Sequence, residues 1–227
     1  MEKLPCEIIH SMRNESNFAV EHGSIVYGTI SNVSDVDVII VVPDKYKEVL
    51  SNYENSIYED NSTYDDLYGK WRDEQYICES DFIQRIKNYD VMALECIFTP
   101  QEHILRIKDS ALSKYQNFFI FDRWGIRQSF SGTASNSWAK AHKKMTVEKD
   151  LDIYRGQKSL FHSLRILMMA NQLCEFGYIK DFKEANDYWW DIYANELSWD
   201  EYKAKYKPIY NELRSKLAIL APKPVEK

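Results

Sequence analysis

Residues 35–42 read Asp-Val-Asp-Val-Ile-Ile-Val-Val, and no other stretch limits the possible folds so strongly. Six of the eight are β-branched and the last five are uninterrupted apolar, the pattern of a strand buried on both faces, which requires a sheet covered by helices. Pro43-Asp44 ends the run and opens a helix-start signal into residues 45–53. The two acids at the mouth of the strand then need a reason. In an extended chain residues i and i+2 project to the same side with Cα atoms about 6.5–7 Å apart. Asp35 and Asp37 therefore stand side by side, and carboxylates that close repel unless a cation lies between them. Divalent magnesium, a hard ion that takes oxygen ligands and keeps places open for phosphate oxygens, is the matching counter-charge. The chemistry this pattern suggests is metal-assisted phosphoryl transfer, with one or two ions held by the acids.

Twelve residues before Asp35 lies Gly23-Ser24. A glycine lets backbone approach a ligand closely, and a serine hydroxyl with nearby amides, Gly28 and Thr29 among them, suits phosphate oxygens. His22-Gly23-Ser24 followed by Asp35-Val36-Asp37-Val38 resembles the signature of the DNA polymerase β-like nucleotidyltransferase superfamily, with His22 where that signature has a hydrophobic residue. More loosely, residues 79–100, 129–145 and 156–173 resemble the bacterial and phage branch of that superfamily associated with RNA repair.

The resemblance implies an α+β fold, a polymerase β-like domain of mixed sheet and flanking helices over residues 1–105, and an all-helical domain over 106–227 closing a cleft. It implies magnesium-dependent transfer of a nucleoside monophosphate from an NTP to an acceptor hydroxyl, with pyrophosphate released. An RNA or tRNA end is the expected acceptor, and a protein acceptor, as in antitoxin-like adenylylation, is the rival within the class. A non-catalytic nucleotide- or RNA-binding module of the same fold is the rival outside it. A third carboxylate on a neighbouring strand is also implied. Glu79 is the first choice, Asp73 and Glu74 follow, and Glu95 reads better as a partnered helical acid.

Charge supports a division of labour. Residues 1–100 hold eight Lys and Arg against nineteen Asp and Glu, a net of −11, whereas residues 101–227 hold twenty-one against sixteen, a net of +5. An acidic half suits metal cations and a basic half suits polyanions. Lys158, His162 and Arg165, at i, i+4 and i+7, fall within about 60° on a helical wheel. With Lys140 they are the candidate phosphate contacts, and Lys143 and Lys144 extend the cluster. A solvated basic face is the plainer reading, and nucleic-acid backbone contact a third.

Elsewhere Ser24–Tyr27 reads as a strand, residues 54–70 as a loop or edge excursion, and residues 74–79 as a short strand. Helices are expected over 82–89 and 90–99, and from residue 101 on the chain carries helical periodicity without obvious strands. Phe130, Ala134, Trp138, Ala141 and Met145 share one helical face, and a second helix runs from Asp152 to Phe176 with Gly177 as its cap. Tyr188, Trp189, Trp190 and Trp199 fit a helical core better than base stacking. Cys6, Cys78, Cys96 and Cys174 lack paired spacing, and the histidines lack zinc-ligand spacing, so reduced thiols and no zinc are expected. No apolar run approaches the roughly 20 residues that cross a bilayer, and the N-terminal residues do not read as a signal peptide, so a cytoplasmic location without membrane contact is expected.

Overall fold

The computed structural model describes residues 3–32, 34–53 and 57–224. It divides into two compact units, Met1–Ile120 and Phe121–Lys227. No helix among the described residues is long and apolar enough to cross a membrane.

The first unit is built on a mixed sheet of five strands, β1 (Phe18–His22), β2 (Val36–Val42), β3 (Ile57–Asp65), β4 (Lys70–Cys78) and β5 (Ile104–Ile107), in the order β3-β4-β2-β1-β5. β2 and β4 are parallel, and the other neighbours are antiparallel. As its composition requires, β2 is central and buried on both faces. Val36, Val38, Ile40 and Val42 pack with Ile9 and Met12 of helix α1 (Cys6–Glu15) and with Tyr46 and Leu50, the latter in the single turn α3 (Lys47–Leu50). On the opposite face Val41 stands beside Phe18 and Ile77 in register, and Phe18 meets the rings of Phe82 and Tyr115. These rings come from α4 (Glu79–Lys87) and α6 (Ala111–Gln116), with α5 (Val91–Phe98) between them in sequence. Asp90 caps α5 by accepting from the Ala93 amide at 3.1 Å.

Two local expectations are overturned and a third is narrowed. Ser24–Tyr27 forms a helical turn, α2, because Gly23 at φ 71° and Gly28 at φ 71° end the extended backbone on either side of it. Of the loop or edge excursion expected over 54–70, residues 57–65 take the edge alternative as strand β3, hairpinned to β4, and residues 54–56 lie outside the described residues. Residues 104–107, short and mostly exposed, form the opposite edge strand, and with α6 they complete the first unit.

The second unit is all helical: α7 (Arg123–Thr146), α8 (Ile153–Phe176), α9 (Asn186–Ala194) and α10 (Trp199–Leu220). Phe130, Ala134 and Ala141 of α7 are buried, as the periodicity requires. Asp152 caps α8 by accepting from the Arg155 amide, and Gly177 at φ 84° ends it. Gly156 sits where α7 and α8 approach closely, since a Cβ there would lie 2.6 Å from Met145 Cγ. Trp189 and Tyr202 are buried in this unit.

Candidate active site

The parallel register sets Asp37 of β2 directly beside Asp73 of β4, and the antiparallel register sets His22 of β1 on Asp37's other side. Cross-strand partners share a face, so His22, Asp37 and Asp73 form one row across the middle of the sheet. The row lies beyond the apolar row Phe18-Val41-Ile77 and the row Val20-Ile39-Gln75 on that same face. Asp37 and Asp73 are half-buried, and Asp35, two residues before Asp37, is exposed at the strand mouth. Burial, and then the charges of Asp37, Glu59, Asp35 and Asp60, push the Asp73 carboxyl up to about 6. Asp35 and Asp73 line a cavity of about 550 Å³ together with Asn61, Ser62, Trp71 and Arg72.

At the end of β1 the chain turns through Gly23 at φ 71°, ψ −140°, a conformation that L side chains rarely adopt. A Cβ at this position would lie 2.2 Å from Asp37 Oδ2. The glycine therefore lets the backbone ride against the carboxylate itself. Next to it, Ser24 is buried, and its Oγ has no hydrogen-bond partner among the described residues. The amides of Gly28 and Thr29 are already committed to closing the turn, donating to Ile25 O at 3.1 Å and Ser24 O at 2.8 Å. They do not serve the site as the sequence suggests.

Glu79 is placed elsewhere. It opens α4 beyond the last β4 residue, so six positions of about 3.3 Å, roughly 20 Å along the strand direction, separate it from Asp73. Its Oε1 accepts from Lys114 Nζ at 3.0 Å and Tyr115 OH at 2.8 Å. Glu74 points to the other face, where Arg13 and the Tyr76 hydroxyl hold it. Glu95 is buried on α5 and bonded by His22 Nε2 at 2.7 Å and Tyr27 OH at 2.6 Å. Asp73 is thus the acid that the fold brings beside Asp37. What singles it out is the parallel register of Ile39–Val42 against Gln75–Cys78, which no local sequence signal carries.

The cationic candidates all lie in the second unit. Lys140 is exposed on α7, while Lys143 and Lys144 face Asp150 at 2.8 and 4.0 Å. On α8, Lys158 and His162 are half-buried and Arg165 is buried, its Nε donating to His162 Nδ1 at 3.3 Å and its Nη1 to Met169 Sδ at 3.1 Å. Among the described residues no group of three or more His, Cys, Asp or Glu side chains is gathered into a metal cage.

Residues 7–116 match the family described as "Nucleotidyltransferase domain", nearly the whole of the first unit. The chain thus carries a nucleotidyltransferase domain, and the protein is a transferase. Its mixed sheet and the all-helical region that follows agree with the α+β class implied by the polymerase β-like resemblance. Among solved structures the chain is similar to a nucleotidyltransferase-like protein from Exiguobacterium sibiricum 255-15, at 11% identity over 94% of this chain and 73% of that one, with a TM-score of 0.34. No curated protein sequence matches the chain.

Proposed function

We propose that the protein transfers a nucleoside monophosphate from a nucleoside triphosphate to an acceptor hydroxyl in a magnesium-dependent reaction that releases pyrophosphate. The observation that carries this reading is the in-register pair Asp37–Asp73, with Asp35 at the cavity that Asp73 lines and the Gly23 backbone against Asp37. The donor chemistry suits the metal: Asp37 and Asp73 are cross-strand neighbours with hard oxygen ligands, Asp35 shares a cavity with Asp73, and a cation beside them would offset the burial and like charge that raise the Asp73 carboxyl. Asp35, Asp37 and Asp73 would hold it. A bound divalent cation supplies neutralisation of triphosphate charge and a lowered pKa at the attacking hydroxyl. Gly23 keeps the backbone low enough for a phosphate to pass. The buried Ser24 hydroxyl, without a hydrogen-bond partner among the described residues, would donate to a phosphate oxygen. The apolar residues behind the acids on β2 hold their spacing rigid. Phosphate contacts from Lys140, Lys158, His162 and Arg165 rest on the basic charge of the second half and the face that the last three share on their helix, and an RNA or tRNA end as acceptor rests on the resemblance.

The test is pyrophosphate release by the full chain from each of the four NTPs with magnesium and an RNA pool, alongside Mn²⁺ binding read by electron paramagnetic resonance. Asp37→Asn and Asp73→Asn should each lower turnover by about 10²-fold or more and weaken Mn²⁺ binding, the scale expected when an interaction specific to the transition state is removed. Glu79→Gln should stay within a few fold of wild type. An inactive Glu79→Gln beside an active Asp73→Asn would overturn the assignment.

A further inference from the structure

The hairpin formed by β3 and β4 carries two large aromatic side chains that the fold leaves open. Trp71 is 54% exposed and Tyr64 is 49% exposed. They are cross-strand partners, with ring centroids 5.4 Å apart and planes at 76°. In this edge-to-face arrangement Tyr64 supports the indole while leaving indole surface available. A cross-strand aromatic pair by itself would need no more explanation than hairpin stability. Its location does. Trp71 lies two residues before Asp73 on the same strand, so the two side chains share a face about 6.5–7 Å apart at Cα. Trp71 also lines the same cavity of about 550 Å³ as Asp35 and Asp73.

The order of strands gives this placement a direction. Gly23 and Ser24 follow β1, on one flank of β2, and Trp71 sits on β4, on the other flank. Asp35 and Asp37, at the start of β2, stand between them, and Asp73 stands on the Trp71 strand. In-line displacement puts the entering oxygen opposite the leaving pyrophosphate. With the triphosphate on the Gly23 side, the entering hydroxyl arrives from the Trp71 side. Resting on the transferase reading above, we infer that the acceptor is the end of a single-stranded polynucleotide whose terminal base stacks on Trp71.

The other cavity residues suit a nucleoside better than a run of backbone phosphates. Asn61 and Ser62 bulge from β3 with hydrogen-bonding side chains, and the Arg72 guanidinium is held by Asp65 at 2.7 Å. Lys3 is the remaining cation of the lining. Binding that depends on stacking and on so few phosphate contacts loses little affinity with salt, because few counterions are released.

The experiment measures anisotropy of a fluorescein-labelled six-nucleotide single-stranded RNA against the full chain, without turnover, in 50 and 200 mM salt. Wild type, Trp71→Ala, Trp71→Phe and Tyr64→Ala are compared, and the KM for NTP is measured separately. Trp71→Ala should weaken RNA binding about tenfold, the lower part of the range for losing one base–aromatic stack. Trp71→Phe should stay within about threefold, and the KM for NTP should not move in either. The salt change should alter wild-type affinity by less than about tenfold. Equal RNA affinity in wild type and Trp71→Ala overturns the inference, as does a raised KM for NTP with RNA binding intact, which would put the NTP base on Trp71. A protein hydroxyl labelled at the wild-type rate by Trp71→Ala overturns it too. Because binding is read without turnover, Trp71-dependent binding in a chain that releases no pyrophosphate would fall on the transferase reading alone.

Discussion

Gly23→Ala is the most informative single change. The substituted residue would keep a backbone at φ 71°, ψ −140°, which costs a non-glycine residue about 1–3 kcal/mol. Its Cβ would also sit 2.2 Å from Asp37 Oδ2 and 3.1 Å from Asp37 Cγ, so the carboxylate has to swing away. Pushing that side chain off its rotamer adds about 0.5–1.5 kcal/mol. Together these give a destabilisation of about 1.5–4.5 kcal/mol in the first unit. Because the displaced group is a proposed metal ligand, turnover should fall far more than stability does. Urea unfolding followed by far-ultraviolet circular dichroism, fitted with a separate transition for each unit, measures the first quantity, and pyrophosphate release measures the second. Asp37→Ala removes the overlap but not the backbone strain. The penalty of Gly23→Ala should therefore shrink by about 0.5–1.5 kcal/mol in the Asp37→Ala background. A Gly23→Ala chain with wild-type unfolding would refute the reasoning, and so would an equal penalty in both backgrounds, since either result removes the contact between this backbone and the carboxylate as the reason for glycine.

Three further outcomes follow from the packing. Ser198 forms a capping box with Glu201 at the start of α10, so Ser198→Ala should cost about 1 kcal/mol, read as a lower melting temperature of the helical unit. At Gly156 alanine gains about 1 kcal/mol of helix propensity, but its Cβ would lie 2.6 Å from Met145 Cγ. Overpacking of that kind costs about 1–3 kcal/mol, so net destabilisation is expected, and Gly156→Ala/Met145→Ala should recover part of it by calorimetry. At Asp65 burial pushes the carboxyl up, but Arg72 and the amides of Tyr68 and Leu67 outweigh it and hold the group below its usual value of 3.8. A lowered pKa gives stability that is present above the unfolded value and lost as pH falls through the folded one. Arg72→Met should therefore destabilise the first unit at neutral pH, with the difference from wild type narrowing below about pH 4 in acid titrations followed by circular dichroism.

The acid pair and the glycine at their backs could be read from residues 21–43, because they sit in one local run whose apolar tail fixes its own conformation. The helices α7 and α8 could be read for the same reason: their faces, the Asp152 cap and the Gly177 stop are all local signals. The third acid could not. Which of Asp73, Glu74 and Glu79 meets Asp37 depends on how β4 registers against β2, a long-range pairing that no local pattern encodes. A search that begins from the short strand 74–79 points to the acid at its end, whereas β4 starts four residues earlier and delivers the acid in its middle. The edge strand β5 escaped notice because one side of it needs no apolar residue, as its exposed side chains illustrate. The turn Ser24–Tyr27 misled for the opposite reason: its apolar, partly β-branched residues are buried, which suits a strand equally well, and only the glycines at either end decide.

The parallel register of β2 and β4 also constrains how this chain can change length. Removing one residue between Asp73 and the β4 core would slide Arg72 into the place beside Asp37, setting a cation where the acids now cooperate. Adding one residue just after Glu74 would slide in Glu74, still an acid but taken from Arg13 and Tyr76, to which it is bonded. The turn at residues 66–69, outside the paired segments of β3 and β4, imposes no such demand. Among descendants of this sequence, insertions and deletions should collect in that turn, while the count of residues from Asp73 to Cys78 stays fixed.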